Sequence, residues 1–223
     1  MSFSSFPSPP FPSDWVLRWA QAWRDRDGVT ALDLACGSGR HLRLLAGEGV
    51  AVTGVDRDAA ALATLSGLSD RVELIEADIE QGPWPLTDRV FDVVLVTNYL
   101  WRPLLPRVVE AVAPGGWLIY ETFTDGQQTV GRPARPDFLL RSGELLAAVD
   151  GLRVIAYEDG FIEAEPLVTG GGAVNGRYVQ RVAAVRENLP GAGAATAAGL
   201  DGGGGGGGDS DVRPGVYPRY RLR

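Results

Sequence analysis

The stretch LDLACGSGRH, residues 32–41, decides how the rest of the chain is interpreted. A short apolar run ends in a turn that contains Gly37 and Gly39, and a helical pattern begins at Arg40. Glycines in such a turn let the backbone approach a ligand closely, and the free amides at the start of the helix face an anion. The stretch therefore predicts a strand, a ligand-binding turn and a helix, in that order.

A second signal follows nineteen residues after Gly37, where the next apolar run ends in Asp56. An acid at that place can accept both hydroxyls of a ribose, which indicates a nucleoside ligand. A dinucleotide and S-adenosylmethionine are the two alternatives. The dinucleotide fingerprint requires a third glycine where this chain has Leu42, and Asp33 would repel a pyrophosphate. The ammonium group of S-adenosylmethionine, in contrast, suits an acid at Asp33.

Short apolar runs alternate with amphipathic segments between residues 30 and 187, which is typical of a largely parallel sheet. The predicted strands are residues 31–35, 51–55, 72–75, 91–96, 117–120, 153–157 and 178–185. The last two have no helix between them, so we expect an antiparallel pair joined by a loop at 164–176. Helices are predicted over residues 40–46, 59–68 and 103–113, and after a cap at Ser142. Trp15, Trp19 and Trp23 recur at helical spacing after Ser13, and we expect them to cover the sheet.

The composition excludes several classes of protein. The chain has 223 residues, and its 21 basic residues, all arginine, against 28 acidic ones give a formal net charge of −7. This balance argues against nucleic-acid binding, which requires clustered positive charge. One cysteine and one histidine, Cys36 and His41, exclude a Cys/His zinc site within one chain, and we expect no metal. No run approaches the roughly 20 apolar residues of a membrane span, and no targeting signal is visible, so we expect a cytoplasmic protein.

Residues 33–39, DLACGSG, resemble the first motif of the class I S-adenosylmethionine-dependent methyltransferases, with Ala35 where the family usually has glycine. Four further segments resemble later motifs of the family in the expected order: 54–56, 76–79, 91–98 and 113–119. The resemblance covers about residues 30 to 187. The segments 97–106 and 120–123 resemble more narrowly a group of small bacterial methyltransferases of unassigned substrate.

The resemblance implies an α/β, Rossmann-like methyltransferase fold. Its seven-stranded, mostly parallel sheet has the order 3-2-1-4-5-7-6, with strand 7 antiparallel and helices on both faces. We expect an N-terminal extension with the tryptophan-bearing helix at 1–29, an S-adenosylmethionine-binding domain at 30–188 and a disordered Ala/Gly-rich tail at 189–223. The tail contains a run of glycines at 202–208 and should bury almost nothing, so we expect truncation after Asn188 to leave thermal stability unaltered.

The resemblance also implies which residues bind S-adenosylmethionine. Asp33 and the following turn would hold the methionine moiety, Asp56 the ribose, Asp78 and the Ile79 amide the adenine, and Asn98 would face the methyl group. The full cofactor-binding set is Asp33, Ala35, Cys36, Gly37, Gly39, Asp56, Arg57, Asp78, Ile79 and Asn98. His41 could contact the methionine moiety or simply pack.

The function follows as an expectation with two alternatives. We expect an S-adenosylmethionine-dependent methyltransferase that acts on a small molecule rather than on nucleic acid. A NAD-dependent oxidoreductase and a non-catalytic nucleoside-binding protein are the alternatives. No catalytic residue is assigned, but Asn98, Tyr99 and Glu121 could touch an acceptor. Residues that could line its pocket, the arginines favouring an anionic substrate, are Trp101, Arg102, Arg132 and Arg135.

Overall fold

The computed structural model describes residues 11–163, residues 176–188 and Tyr220. Its helices are α1 (Asp14–Arg18), α2 (Arg40–Gly47), α3 (Ala59–Ala63), α4 (Leu105–Glu110) and α5 (Glu144–Ala148). Its strands are β1 (Thr30–Leu34), β2 (Ala51–Asp56), β3 (Val72–Glu76), β4 (Phe91–Thr97), β5 (Val112–Phe123), β6 (Arg153–Ile162) and β7 (Arg177–Val185). Short 3₁₀ turns lie at Ala20–Ala22, Arg102–Leu104, Gln127–Thr129 and Pro136–Phe138.

The seven strands form one sheet of order β3-β2-β1-β4-β5-β7-β6, as predicted. Strands β1 to β5 pair in parallel, and β7 is antiparallel to both β5 and β6. Asp33 of β1 lies in register between Gly54 of β2 and Leu95 of β4. The carboxyl ends of β1, β2, β4 and β5 therefore meet along one edge of the sheet, which we call the carboxyl edge.

Alternation along the central strands separates two apolar cores, one on each face of the sheet. Val93 and Leu95 pack into the core that contains α2 and the three N-terminal tryptophans. Val94 and Val96 pack into the core that contains α4 and α5. Because β1 and β4 are buried on both faces, their sequences are nearly continuous apolar runs. The helices on both faces of the sheet are confirmed.

The N-terminal extension packs onto the sheet. Ser13 caps α1 by accepting a hydrogen bond from the Trp15 amide at 3.2 Å. Trp15, Trp19 and Trp23 are at most 2% exposed, and the first two meet edge to face with ring centroids 5.5 Å apart. The tryptophans belong to the apolar core, which confirms the packing interpretation.

Three predicted helices differ in detail. Helix α3 ends at Ala63 rather than at residue 68, because the Thr64 and Leu65 amides bond three residues back and tighten the chain into turns. Helix α4 begins only at Leu105, after a 3₁₀ turn. The predicted Ser142 cap is wrong: Gly143, with φ of +72°, caps α5, and the Ser142 hydroxyl lies 3.2 Å from Asp159 Oδ2.

The tail contacts the domain at one described position. The Tyr220 ring meets Trp117 edge to face at a centroid distance of 5.5 Å, and the Arg153 guanidinium lies 5.8 Å from the Tyr220 ring. The rest of the predicted tail, and the loop predicted at 164–176 apart from Gly176, lie outside the described residues. Within residues 11–163 and 176–188, every helix is too short or too polar to span a membrane.

Candidate functional site

The turn after β1 has an unusual backbone. Ala35, Gly37 and Gly39 all have positive φ, at +54°, +53° and +74°. A Cβ built on Gly39 would lie 2.6 Å from the Leu65 side chain, so glycine is required there for packing. A Cβ on Gly37 would meet nothing within 4 Å, so this glycine borders open space at the carboxyl edge. Ala35 occupies a conformation that residues other than glycine rarely adopt.

Asp56 at the end of β2 is tied directly to this turn. Its Oδ2 accepts a hydrogen bond from the Gly37 amide at 2.7 Å, and its Oδ1 accepts one from the Asp58 amide at 2.9 Å. Each carboxylate oxygen has two lone pairs, so Asp56 retains the capacity to accept hydroxyl groups. Gly54 of the same strand allows β2 to pack closely against α2, because a Cβ there would lie 2.5 Å from the Leu42 side chain.

Asp33 is a buried carboxylate with an unsatisfied oxygen. It is 2% exposed, and its Oδ2 has no hydrogen-bond partner in the described part of the chain. Burial raises the pKa of Asp33 to about 7, while the Leu42 amide and the Arg40 charge act in the opposite direction. An unpaired buried carboxylate is costly, and a cationic ligand group beside it would remove that cost.

The turn after β3 lies at the same edge. The Ala77 amide donates to the Asp56 carbonyl at 2.9 Å, which joins the ends of β2 and β3. Asp78 Oδ1 accepts from the Glu80 and Gln81 amides at 3.0 and 3.1 Å, and the Ile79 side chain is buried in the core. Asp78 thus fixes the local turn near Asp56.

Two of the acceptor candidates follow β4. Asn98 has φ of +55°, and its amide donates to the Glu121 carbonyl at 2.9 Å. The buried Tyr99 hydroxyl makes no hydrogen bond of normal geometry to the described residues. Burial, followed by the charge of Glu80, raises the pKa of Tyr99, and the exposed Arg57 counteracts it. Glu80 belongs to the turn after β3, so the charge of this turn acts on the Tyr99 hydroxyl.

Glu121, the third acceptor candidate, is fully buried and engaged. Its Oε1 accepts from the Ser13 hydroxyl at 2.9 Å, and Arg177 and Arg181 each approach the carboxylate at 3.4 Å. It anchors the N-terminal extension to the sheet. The sequence did not reveal this contact, because Ser13 and Glu121 lie 108 residues apart.

His41 anchors the same extension. Its Nε2 accepts from the Ser13 amide at 3.0 Å, and its Nδ1 lies 3.4 Å from the Thr97 hydroxyl. Burial, reinforced by the adjacent Arg40 charge, lowers the pKa of His41 to about 3, so the ring is neutral. These contacts favour packing over contact with the cofactor. Cys36 is also buried, which raises the pKa of its thiol.

Two of the arginines expected near an acceptor, Arg102 and Arg135, make ion pairs with other residues of the chain. Arg102 forms a paired contact with Glu144 at 2.6 and 2.9 Å and also donates to the Asp137 and Leu139 carbonyls at 2.8 Å. Its guanidinium therefore holds the segment before α5. Arg135 forms an exposed ion pair with Asp137 at 2.8 Å, and Arg132 is exposed. Trp101 packs against the core that contains α4.

The groups present fit S-adenosylmethionine. Asp33 offers a buried anionic oxygen for an ammonium, Gly37 borders open space, and Asp56 bonds the same turn and can accept hydroxyls. The sequence predicted these residues because their spacing follows strand ends. The sequence analysis did not identify Arg40, which lies beside this turn and is 8% exposed. No feature of the sequence pattern distinguishes this arginine from an exposed one.

Comparisons with known proteins find similar sequences among methyltransferases. A sequence profile described as a methyltransferase domain matches residues 31–116. A ubiquinone biosynthesis O-methyltransferase of Paraburkholderia phytofirmans is 32% identical over 117 residues, 48% of this chain and 49% of that protein. A tRNA U34 carboxymethyltransferase of Klebsiella pneumoniae is 28% identical over 168 residues, 68% of this chain and 49% of that protein. The chain thus spans about half the length of the curated relatives it matches.

Solved structures share the fold. TehB from Haemophilus influenzae aligns with a TM-score of 0.60 at 20% identity, over 77% of this chain and 61% of that one. An S-adenosylmethionine-dependent methyltransferase from Mesorhizobium loti aligns with a TM-score of 0.57 at 18% identity, over 78% of this chain and 97% of that one. Residues 31–116 thus match a methyltransferase domain, and the chain shares the fold of an S-adenosylmethionine-dependent methyltransferase of known structure.

Proposed function

We propose that the protein transfers the methyl group of S-adenosylmethionine to a small-molecule acceptor in the cytoplasm. The observation that carries this proposal is the buried Asp33 Oδ2, which has no hydrogen-bond partner among the described residues, beside a turn whose Gly37 amide donates to Asp56. In S-adenosylmethionine, the ammonium group would pair with Asp33 and the two ribose hydroxyls would donate to Asp56. The match of residues 31–116 to a methyltransferase domain supports the same ligand.

Each cofactor-binding residue then has a distinct role. Asp33 pairs with the ammonium, and the turn from Ala35 to Gly39 lies along the methionine moiety. Asp56 accepts the ribose hydroxyls, with Arg57 beside it. Asp78 and the Ile79 amide bind the adenine, at the place where β2 and β3 are joined.

The chemistry requires mainly positioning. The bound sulfonium supplies an activated methyl group, and its thioether leaving group needs no proton. Correct orientation of two reactants can supply about 7–11 kcal/mol of a barrier. Asn98 and Tyr99, which follow β4, would orient an acceptor, whereas Glu121 already contacts Ser13 and two arginines. We assign no general base.

The alternatives fit the site less well. A dinucleotide would bring a pyrophosphate next to the buried Asp33, and Leu42, fully buried, stands where that fold requires a glycine. The relatives include a tRNA-modifying enzyme, but the net charge of −7 disfavours nucleic acid as the acceptor here. A small molecule is therefore the acceptor class we favour.

The experiment is a search for methylated products. The protein is incubated with methyl-labelled S-adenosylmethionine and a metabolite extract, and mass spectrometry identifies products that gain the labelled methyl group. We expect a labelled small molecule, and we expect its yield to fall with the Asp56→Ala variant but not with the Asp70→Ala variant, an exposed acid away from the turn. Tight binding of NADH but not of S-adenosylmethionine would establish the oxidoreductase alternative. Cofactor binding without transfer to any acceptor would favour a non-catalytic nucleoside-binding protein.

A further inference from the structure

Arg40 is a buried cation that has no ionic partner among the described residues. It is the first residue of α2 and only 8% exposed. One guanidinium nitrogen lies 3.3 Å from the Phe11 carbonyl, and the other lies 3.4 Å from the Thr97 hydroxyl. Among the described residues, no carboxylate lies within 4 Å of it. Burial lowers the pKa of Arg40, yet a guanidinium remains charged in proteins, so its desolvation is incompletely compensated.

Arg177, at the start of β7, faces the same region. Within the part of the chain that the structure describes, its guanidinium makes one long contact, 3.4 Å to Glu121, and its side chain is 30% exposed. Glu121 also pairs with Arg181 and accepts a hydrogen bond from the Ser13 hydroxyl, so a single carboxylate contacts three donors. Arg181 has a second partner in Glu158, at 2.7 Å. Arg40 and Arg177 are thus the cations with the least compensation in this group.

The pair lies on the acceptor side of the proposed cofactor site. Strand β1, whose turn would hold the methionine moiety, is followed across the sheet by β4, β5 and β7. Arg40 reaches the end of β4 through Thr97, and Glu121 and Arg177 lie at the ends of β5 and β7. Asn98, the residue after Thr97, bonds the Glu121 carbonyl through its amide, so the end of β4 that Arg40 reaches is joined to β5. The ribose-binding Asp56 lies on the other side of β1.

We propose that Arg40 and Arg177 bind a carboxylate of the methyl acceptor, so that the substrate is a small organic acid. This inference rests on the proposed methyltransferase function and names its substrate class. A carboxylate would replace the neutral Phe11 carbonyl as the partner of Arg40, and charge-assisted bonds are shorter and stronger than the present 3.3 Å contact. The planar fork of a guanidinium matches two carboxylate oxygens, which would also fix the direction of the acceptor.

The test uses benzoate and its neutral isostere benzamide as probes. Their binding is titrated with and without S-adenosylhomocysteine, to the wild-type protein and to the Arg40→Gln and Arg177→Gln variants. Arg43→Gln is the matched control, because Arg43 lies on the same helix and donates to the Thr64 carbonyl at the surface. We expect the wild type and the control to bind benzoate about tenfold or more tightly than benzamide. In the Arg40→Gln and Arg177→Gln variants, the affinities for the two probes should differ by less than about threefold. Arg177, being partly exposed, keeps the test valid if Arg40→Gln does not fold.

A second arm separates the acceptor from the carboxylate of the cofactor itself. Binding of S-adenosylhomocysteine is compared with binding of methylthioadenosine, which lacks the amino-acid moiety, and the ratio should be the same in the wild type and Arg40→Gln. If Arg40→Gln weakens only S-adenosylhomocysteine, the guanidinium serves the cofactor and the proposal is overturned. Equal binding of benzoate and benzamide by the wild type also overturns it, even where S-adenosylhomocysteine binds. Failure of the wild type to bind S-adenosylhomocysteine would instead count against the proposed function.

Discussion

Replacement of Asp33 by asparagine isolates the charge that the cofactor ammonium is proposed to neutralise. The pKa of Asp33 is raised to about 7 in the free protein, chiefly by burial. A cation placed against its unpartnered Oδ2 would favour the ionised form and lower that pKa. Binding of the cofactor must therefore release the proton that Asp33 carries.

The size of this effect follows from the pKa. At pH 7 about half of the free molecules carry the proton, at pH 6 about nine in ten, and at pH 8 about one in ten, so binding should release about these fractions of a proton. The affinity should fall up to about tenfold per pH unit below 7. Asp33→Asn should release no proton from this site and should lose about 1.5–3 kcal/mol at pH 8, which is on the order of 10- to 100-fold in affinity.

The assay is calorimetric titration with S-adenosylhomocysteine in buffers of different ionisation enthalpy. The slope of the observed enthalpy against the buffer enthalpy counts the protons released. A wild-type protein that binds without proton release at pH 6, or an Asp33→Asn variant that releases the same fraction as the wild type, would refute the pairing of Asp33 with the ammonium.

Asp33→Asn should stabilise the unliganded protein, although it should weaken cofactor binding. The folded pKa of Asp33 lies above the value of about 3.9 for an unfolded chain, so the folded state holds the proton to higher pH. The contribution of this group to stability is therefore lost as the pH rises from about 4 through about 7. Asp33→Asn should melt at a higher temperature than the wild type at pH 8 and should differ less from it at pH 5.

Three further outcomes are expected. Asp56→Ala should weaken S-adenosylhomocysteine binding about 10- to 100-fold in titration, since it removes the proposed ribose acceptor and the bond to Gly37. The control variant Asp70→Ala should leave the affinity unchanged. Equal affinities of Asp56→Ala and the wild type would argue against the ribose role. Tyr220→Ala should lower the free energy of unfolding by about 0.5–1.5 kcal/mol, because it removes the contact between this ring and Trp117. This result would differ from the sequence-based expectation that truncation of the tail leaves thermal stability unaltered. An unchanged melting temperature would show that the contact contributes nothing. Cys36 should react with a thiol reagent at least about 100-fold more slowly in the folded than in the unfolded protein, because burial raises the pKa of its thiol. Rapid labelling of Cys36 in the folded protein would contradict the buried position of the thiol.

The sequence predicted the sheet because its signals are local. The apolar runs that became β1 and β4 are buried on both faces, and the resemblance to the family supplied the order of the strands. Element ends were less predictable, since they depend on competing hydrogen bonds. The Ser142 hydroxyl, for instance, meets Asp159 and leaves Gly143 to cap α5.

The acceptor side was the least predictable part of the site. Ser13 bonds both His41 and Glu121, which lie 28 and 108 residues away in the chain. Sequence patterns carry no signal for such pairings, so Glu121 could be expected to touch a substrate although it anchors the N-terminal extension. Arg102 likewise looked suited to an anionic acceptor, but Glu144 and two carbonyls engage it fully.

A crystal structure of the protein with S-adenosylhomocysteine tests the central claim most directly. The account predicts the ammonium within hydrogen-bond distance of Asp33 Oδ2, the ribose hydroxyls on Asp56, and the amino-acid chain along the turn at Gly37. Adenosine bound away from the carboxyl edge, or its ribose directed away from Asp56, would contradict the account.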